Sequence, residues 1–217
     1  MNENQQSLET LADIKRMMER SSRFISLSGL SGVSAGLCAL AGAWFASKRI
    51  NCWVNGHCEL GRLMEQGGRP LLNNLFWIAA VTFIAAFSTA FLFTFLRSKK
   101  NDTSIWGRAT IRLLWNTIIP LLAGGIFLLR MLELQQYDLV APGCLIFYGL
   151  ALVNASKYTL GEVRYLGYGQ IIIGIINLWN YGYGLQLWAL GFGVLHIIYG
   201  TAMWWKYERK RADKMSL

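Results

Sequence analysis

The sequence predicts an all-α membrane protein: a polytopic bundle of six transmembrane helices with a short amphipathic N-terminal helix and both termini in the cytoplasm. Hydrophobic residues make up 54% of the 217 residues and charged residues only 15%, a balance that leaves a soluble domain too much apolar surface. Six apolar stretches are long enough, or nearly so, to cross a bilayer, which takes about 20 helical residues. They cover residues 24–46, 75–96, 113–129, 139–155, 165–183 and 185–205.

The chain divides into a cytoplasmic N-terminal helix over 1–22, one transmembrane domain over 23–205 and a basic cytoplasmic tail over 206–217. In the first segment, apolar and charged residues occupy opposite faces of a helix. The apolar face has Leu8, Leu11, Ile14 and Met18, and the charged face has Glu9, Asp13, Arg16 and Arg20. Such a helix lies on the membrane surface, docks over the cytoplasmic end of the bundle or binds a partner, and the sequence leaves these alternatives open.

Lysine and arginine set the predicted orientation. Counted over alternate non-spanning segments, 16 of them fall on one face of the membrane and 5 on the other, and the richer face is cytoplasmic. The nine tryptophans fall at or beyond the ends of the spans, where the headgroups lie. Most of the net charge of +9 is then on the inner face, so anionic lipids there are the expected partners and nucleic acid is not.

The first span has two stripes of small residues at a spacing of four. One consists of Ser28, Gly32 and Gly36, and the other of Ser31, Ala35, Ala39 and Ala43. Small residues allow helices to approach closely in lipid, where van der Waals contact drives association. The pattern predicts a central first helix with two neighbours, with homo-oligomerisation as the alternative.

The run from Ile14 to Leu37, IKRMMERSSRFISLSGLSGVSAGL, resembles the N-terminal stretch of uncharacterised bacterial six-span integral membrane proteins. The resemblance implies a multi-pass protein of the bacterial inner (cytoplasmic) membrane. It implies no activity, ligand or catalytic residue.

His196 is the most suggestive single residue, because it lies near the middle of the last span, where an ionisable group is costly and usually faces inward. Gly193 and Gly200 leave space beside its ring, and Tyr199 follows on the same face. A ligand contact or proton relay is one interpretation. The other is a neutral histidine that is hydrogen-bonded to a tyrosine, an asparagine or a backbone carbonyl.

Pro120 interrupts the third span and deprives the carbonyl of Asn116 of its helical partner. Unsatisfied backbone at membrane depth is tolerated only against protein or a water-filled cavity, so this stretch is either a ligand site or a structural kink. We further hypothesise one internal polar cavity that involves the third, fifth and last spans. The candidate ligand-binding residues are His196, Tyr199, Asn116, Pro120, Gln170 and Asn177.

Residues 166–169 (LGYG) are matched by residues 190–193 (LGFG). Glycine-mediated packing is one interpretation of this short repeat. A duplicated helical hairpin, of the kind from which transporters are built, is the other.

The first outer loop contains Cys52 and Cys58 on either side of an Asn-Gly turn signal. In an oxidising periplasm this spacing favours a disulfide. Free thiols, or metal ligands together with His57, are the alternatives, but the loop lacks the second ligand pair of a zinc site, so no metal is expected. Cys38 and Cys144 lie inside spans and are expected to be buried thiols.

No catalytic constellation is recognisable: the spans have no carboxylate pair, Ser-His-Asp set or phosphate-binding loop, so we expect neither an enzyme nor a cofactor. Two functional classes remain. The first is a small bundle that transports or binds a solute or ligand at a polar site near the kinked third span and the last span. The second is a non-transporting sensor, assembly factor or scaffold subunit that acts through a membrane partner protein.

Overall fold

The computed structural model describes residues 28–55, 69–100 and 107–209. Within these ranges 89% of the residues are helical and there is no strand, which confirms the predicted all-α class. The predicted N-terminal helix, Cys58 with most of its loop, and the tail after residue 209 lie outside the described residues.

Six helical segments cross the bundle, and the last of them changes its helical register twice. They are α1 (Gly29–Val54), α2 (Arg69–Lys100), α3 (Arg108–Glu133), α4 (Val140–Ala155), α5 (Val163–Trp179) and a last span made of α6 (Gly184–Ala189), a first π turn (Leu190–Leu195), α7 (His196–Trp204) and a second π turn (Trp205–Arg209). A 3₁₀ turn (Tyr137–Leu139) precedes α4.

Five of these segments are long and apolar enough to cross a membrane: α1, α2, α3, α4 with its 3₁₀ turn, and the last span. The remaining helix, α5, has 17 residues. At 1.5 Å per residue it is about 26 Å long, slightly shorter than a hydrocarbon core of about 30 Å.

Two predicted boundaries are corrected. Helix α1 continues past residue 46 to Val54, so Cys52 belongs to its last turn and not to the following loop. Helix α5 ends at Trp179 and not at residue 183. It ends there because the Asn180 side chain donates to the carbonyl of Ile176 (2.6 Å) and the chain then turns through Gly182, whose φ of +85° favours glycine.

Helices α1, α4 and α5 pack around the last span, and α2 and α3 pack on the outside of this group. Helix α1 lies between α2 and the last span, α4 lies between α3 and α5, and the last span also contacts α4 and α5. In the most apolar part of α1 and of α4, 33% of the residues are buried, whereas none is buried in that of α2. Helices α2 and α3 are therefore peripheral, and the predicted central position of α1 with two neighbours is confirmed.

Glycines bring backbones into direct contact at two helix pairs. A Cβ atom at Gly200 would lie 2.6 Å from the carbonyl oxygen of Gly29 and 2.6 Å from the amide nitrogen of Val33 on α1. Between α4 and α5, a Cβ at Gly149 would lie 2.7 Å from the carbonyl of Gly167, and the reverse distance is 2.8 Å. Gly167 belongs to the first of the two repeated glycine motifs, so that motif contributes to close helix packing, as one of the two interpretations predicts.

Large apolar side chains cover the outside of the bundle. On α2, the rings of Phe83, Phe87, Phe91 and Phe95 form a stacked row with centroids 6.3–6.4 Å apart, and all four are exposed. A soluble monomer rarely presents so continuous an apolar face, whereas lipid covers it without cost. This surface is compatible with a membrane protein.

Candidate functional site

His196 lies at the start of α7, directly after the first π turn, and is only 5% exposed. Its Nδ1 is 3.0 Å from the carbonyl oxygen of Gly191, and its Nε2 is 2.9 Å from the hydroxyl of Tyr148 on α4. A carbonyl only accepts, so the geometry assigns the proton to Nδ1, and Nε2 accepts from Tyr148. The histidine is therefore bonded to a tyrosine and a backbone carbonyl, as the second interpretation predicts.

Gln170 reaches the same carbonyl from α5. Its side chain is fully buried, and Nε2 donates to the oxygen of Gly191 at 2.8 Å. The 3.3 Å separation of Nε2 from Nδ1 of His196 joins two donors in this tautomer and is not a hydrogen bond. The other amide atom, Oε1, has no partner among the described residues. A buried acceptor without a donor costs about 1–3 kcal/mol.

The carbonyl of Gly191, which is contacted by two side chains, belongs to the first π turn. A π turn widens the helix locally, and such turns are frequent at functional sites. Gly191 also lacks the side chain that would block access: a Cβ there would collide with Leu145 and lie 2.6 Å from Oε1 of Gln170. We call Tyr148, Gln170, Gly191 and His196 the polar cluster.

Aromatic rings enclose one side of the polar cluster. The ring centroid of Phe192 is 5.0 Å from that of Tyr148 and 6.0 Å from the nearly parallel ring of His196. Trp188 packs on Phe192 one turn earlier, at 4.9 Å. These apolar walls make unpaired charge costly and hydrogen bonds within the cluster correspondingly important.

Asn116 and Pro120 lie on α3, apart from the polar cluster. The carbonyl of Asn116, which Pro120 deprives of its helical partner, accepts instead from the Asn154 side chain on α4 at 2.8 Å. A second contact of 3.3 Å joins the two side-chain amides. The freed backbone group is thus satisfied by protein, and α3 continues through the proline without a break.

The two other candidate residues lie on either side of the polar cluster. Asn177 is two turns from Gln170 on α5, is 4% exposed and approaches the carbonyl of Gly184 at 3.5 Å. Tyr199 is one turn beyond His196, and its buried hydroxyl has no partner among the described residues. Of the six candidates, only His196 and Gln170 share a hydrogen-bond acceptor among the described residues, the carbonyl oxygen of Gly191. Ligand binding by any of them stays a prediction.

Two members of the cluster, Tyr148 and Gly191, escaped the sequence analysis. The sequence predicts no candidate site residue on the fourth span, yet this span contributes Tyr148 to the cluster and Asn154 as the donor to the carbonyl of Asn116. A polar tip on Tyr148 within an apolar span was the available signal. Apolar residues are spread evenly around α4, so the sequence does not reveal which face of this helix points inward.

A second polar group ties the α4–α5 loop to the end of the last span. Oε1 of Glu162 accepts from Nζ of Lys206 at 2.5 Å and from the hydroxyl of Tyr207 at 2.7 Å. Partial burial raises the pKa of Glu162, but the hydrogen bonds from Lys206 and Tyr207 outweigh it and hold that pKa below its usual value of 4.5.

Cys52 takes part in a disulfide, whereas Cys58, its predicted partner, lies outside the described residues, so that pairing stays a prediction. Cys38 and Cys144 are free thiols. Both are half-buried and not fully buried as expected. In the described part of the chain, no three His, Cys, Asp or Glu side chains could share a metal ion.

No protein-family model, curated protein or solved structure matches this chain. The polar cluster is therefore the main evidence for function.

Proposed function

We propose that this chain is an integral membrane protein that binds or transports a small polar solute at the polar cluster. The observation that supports this proposal is Oε1 of Gln170, a fully buried acceptor without a donor. Polar groups at membrane depth are expensive and usually functional. A solute that donates a hydrogen bond there would remove the cost of the unpaired oxygen.

The chemistry of the cluster limits the class of solute. Gln170 offers a free acceptor, and the carbonyl of Gly191 and the ring of His196 lie beside it. A solute with N–H or O–H donors, such as an ammonium ion, an amide or a small polyol, would fit these groups. The close glycine contacts of the surrounding helices favour a small one.

The proposed setting is a bacterial inner membrane, with α5 as the sixth span and both termini cytoplasmic. The close approach of Gly29 to Trp204 supports the six-span topology, because the start of α1 and the end of the last span then share one end of the bundle. The excess of Lys and Arg in the sequence supports the cytoplasmic assignment of that end. No enzymatic activity, cofactor or nucleic-acid partner is part of the proposal.

A thermal-shift screen of the purified protein tests the solute site. A ligand at about one hundred times its Kd stabilises a protein by about 2.7 kcal/mol. We expect at least one ammonium, amide or polyol compound to raise the unfolding temperature of the wild type. Gln170→Leu should abolish the shift, while Gln186→Leu, at an exposed glutamine of the last span, should preserve it. A shift that survives Gln170→Leu would refute the site.

The phenylalanine row of α2 favours a second candidate, a scaffold or partner subunit. Its exposed rings offer a rigid face to another membrane helix. Co-purification of a stoichiometric membrane partner, lost when Phe87 and Phe91 are replaced by alanine, would support this role over solute handling.

A further inference from the structure

One face of the last span connects the polar cluster with the end of the bundle near Glu162. His196, Tyr199, Met203 and Tyr207 follow one another at helical spacings of three, four and four residues, which places them on one face. Three of these four side chains can carry a proton. Such a row of protonatable groups is unusual within an apolar span.

Hydrogen bonds occupy the two ends of this row. At the inner end, Nε2 of His196 contacts the hydroxyl of Tyr148 at 2.9 Å. At the other end, the hydroxyl of Tyr207 donates to Glu162 at 2.7 Å, and the Glu162 side chain is 27% exposed. The Tyr207 end of the row is thus hydrogen-bonded to a carboxylate that water can reach.

Tyr199 lies between these two hydrogen-bonded pairs. Its hydroxyl is buried and has no hydrogen-bond partner among the described residues. Its ring, like that of Tyr207, packs on the buried cluster of Leu160, Val163 and Met203. A buried hydroxyl without a partner, placed between two hydrogen-bonded pairs, calls for a role.

We propose that Tyr199 transfers protons between the Glu162–Tyr207 pair and His196, by way of Tyr148. This goes beyond the proposed solute site, because His196 can be protonated through this path whether or not a solute binds. A hydroxyl both donates and accepts, so Tyr199 can take a proton from one neighbour and release its own to the next, directly or through a bridging water.

The transfer leaves each tyrosine unchanged. A proton from water enters at Glu162 and Tyr207; each hydroxyl accepts one proton and releases its own to the next group. Nε2 of His196 takes the last proton from Tyr148, while Nδ1 keeps its own proton and continues to donate it to the carbonyl of Gly191. The net result is an imidazolium at His196 and one proton fewer in the water at the Glu162 end.

Few other groups around His196 can titrate. Helix α4 contributes Tyr148, with Cys144 one turn away, and α5 contributes Gln170. Helix α1 approaches through Gly32, where a Cβ atom would lie 3.4 Å from the backbone carbonyl oxygen of His196. No charged side chain is among these neighbours. Protonation of His196 therefore depends on a path such as the one through Tyr199.

The protonation rate of His196 tests the path. The chain has two histidines, so His57→Gln leaves His196 as the only one. In lipid nanodiscs with carbon-13-labelled histidine, a rapid pH jump followed by infrared absorption of the imidazole measures that rate. Tyr199→Phe should slow it about tenfold or more, equal to about 1.4 kcal/mol of barrier, without moving the titration midpoint. Tyr168→Phe, at an exposed tyrosine of α5, should match the background.

A rate that Tyr199→Phe leaves unchanged would overturn the path, and so would an imidazole that never becomes protonated. A shifted midpoint with an unchanged rate would also overturn it, because that result indicates a structural role. Should Tyr199→Phe fail to fold, Glu162→Gln replaces it: a slowed rate supports the path and an unchanged rate refutes it. Solute-induced thermal shifts are a separate readout, so failure of the solute site is distinguishable.

Discussion

Asn154 shows how one side chain makes a proline tolerable inside a long apolar helix. Pro120 removes the amide that would bond to the carbonyl of Asn116, and in lipid no water replaces it. The Asn154 amide, arriving from the neighbouring helix, donates at 2.8 Å instead. The hydrogen bond from Asn154 therefore joins α3 to α4 at the turn of α3 that lacks a backbone hydrogen bond.

Replacing Asn154 by leucine should destabilise the protein by about 1–3 kcal/mol, because a buried carbonyl loses its donor. In a Pro120→Ala background the cost should be smaller, since alanine restores the backbone amide. Unfolding free energies of the four variants in lipid-like micelles measure this coupling. Asn51→Leu, at an exposed asparagine, should change stability little. Equal costs of Asn154→Leu in both backgrounds would contradict this account.

Glu162 makes one contribution to stability depend on pH. Its pKa is lower in the folded state than the usual 4.5, so its ionised form is stabilised by folding. That contribution is fully present above pH 4.5 and disappears as the pH falls through the folded pKa. The difference in unfolding temperature between wild type and Glu162→Gln should therefore be largest near neutral pH and vanish in acid. A difference that is independent of pH would show that the carboxylate charge contributes nothing.

At the scale of helices, glycine contacts decide which pairs are close. Helix α1 meets the last span through Gly29 and Gly200, and α4 meets α5 through Gly149 and Gly167, each with backbone against backbone. Lipid tails are as apolar as leucine, so such van der Waals contact is what favours helix pairing over lipid. The polar cluster lies between these two close pairs.

Gly200→Ala should destabilise the bundle by about 1–3 kcal/mol, because its Cβ would overlap the backbone of α1. Gly125→Ala is the matched control: no atom lies within 4 Å of its Cβ position, and alanine favours a helix by about 0.5–1 kcal/mol. In detergent, the free energy of unfolding should therefore fall for Gly200→Ala and rise slightly for Gly125→Ala. A neutral Gly200→Ala would imply that the two helices are less closely packed than described.

At the scale of the whole molecule, the proposed six-span topology requires α5 to cross the membrane. With 17 residues it is not among the five segments that are long and apolar enough to cross, but it packs against α4 and the last span and carries Gln170. In the proposed six-span topology, Lys157 and Tyr181, which precede and follow α5, are on opposite sides of the membrane. Both side chains are exposed.

Cysteines at these two positions, in a background without Cys38 and Cys144, test the crossing. A membrane-impermeant maleimide should label Tyr181→Cys on intact cells and should label Lys157→Cys only after the membrane is permeabilised. The background protein serves as the control for the remaining cysteines. Labelling of both positions from outside would remove α5 from the set of spans.

Part of this molecule could be predicted from sequence because the signal is local. Apolar length locates the helices, and small-residue spacing identifies α1 as a close-packing helix. The isolated histidine in an apolar span identifies His196, and a proline identifies the carbonyl of Asn116 as needing a partner. Each of these conclusions depends on residues within a few turns of one another along the chain.

The sequence by itself determined the helical class, the apolar stretches that are compatible with a membrane, and the residues that need polar partners. Only the tertiary structure decided which groups are those partners. The carbonyl of Asn116 bonds to Asn154, and His196 bonds to Tyr148 and to the carbonyl of Gly191. The reason is physical. In lipid a polar group must be satisfied within the protein, but which neighbour satisfies it depends on helix rotation and order in the bundle, which distant contacts set.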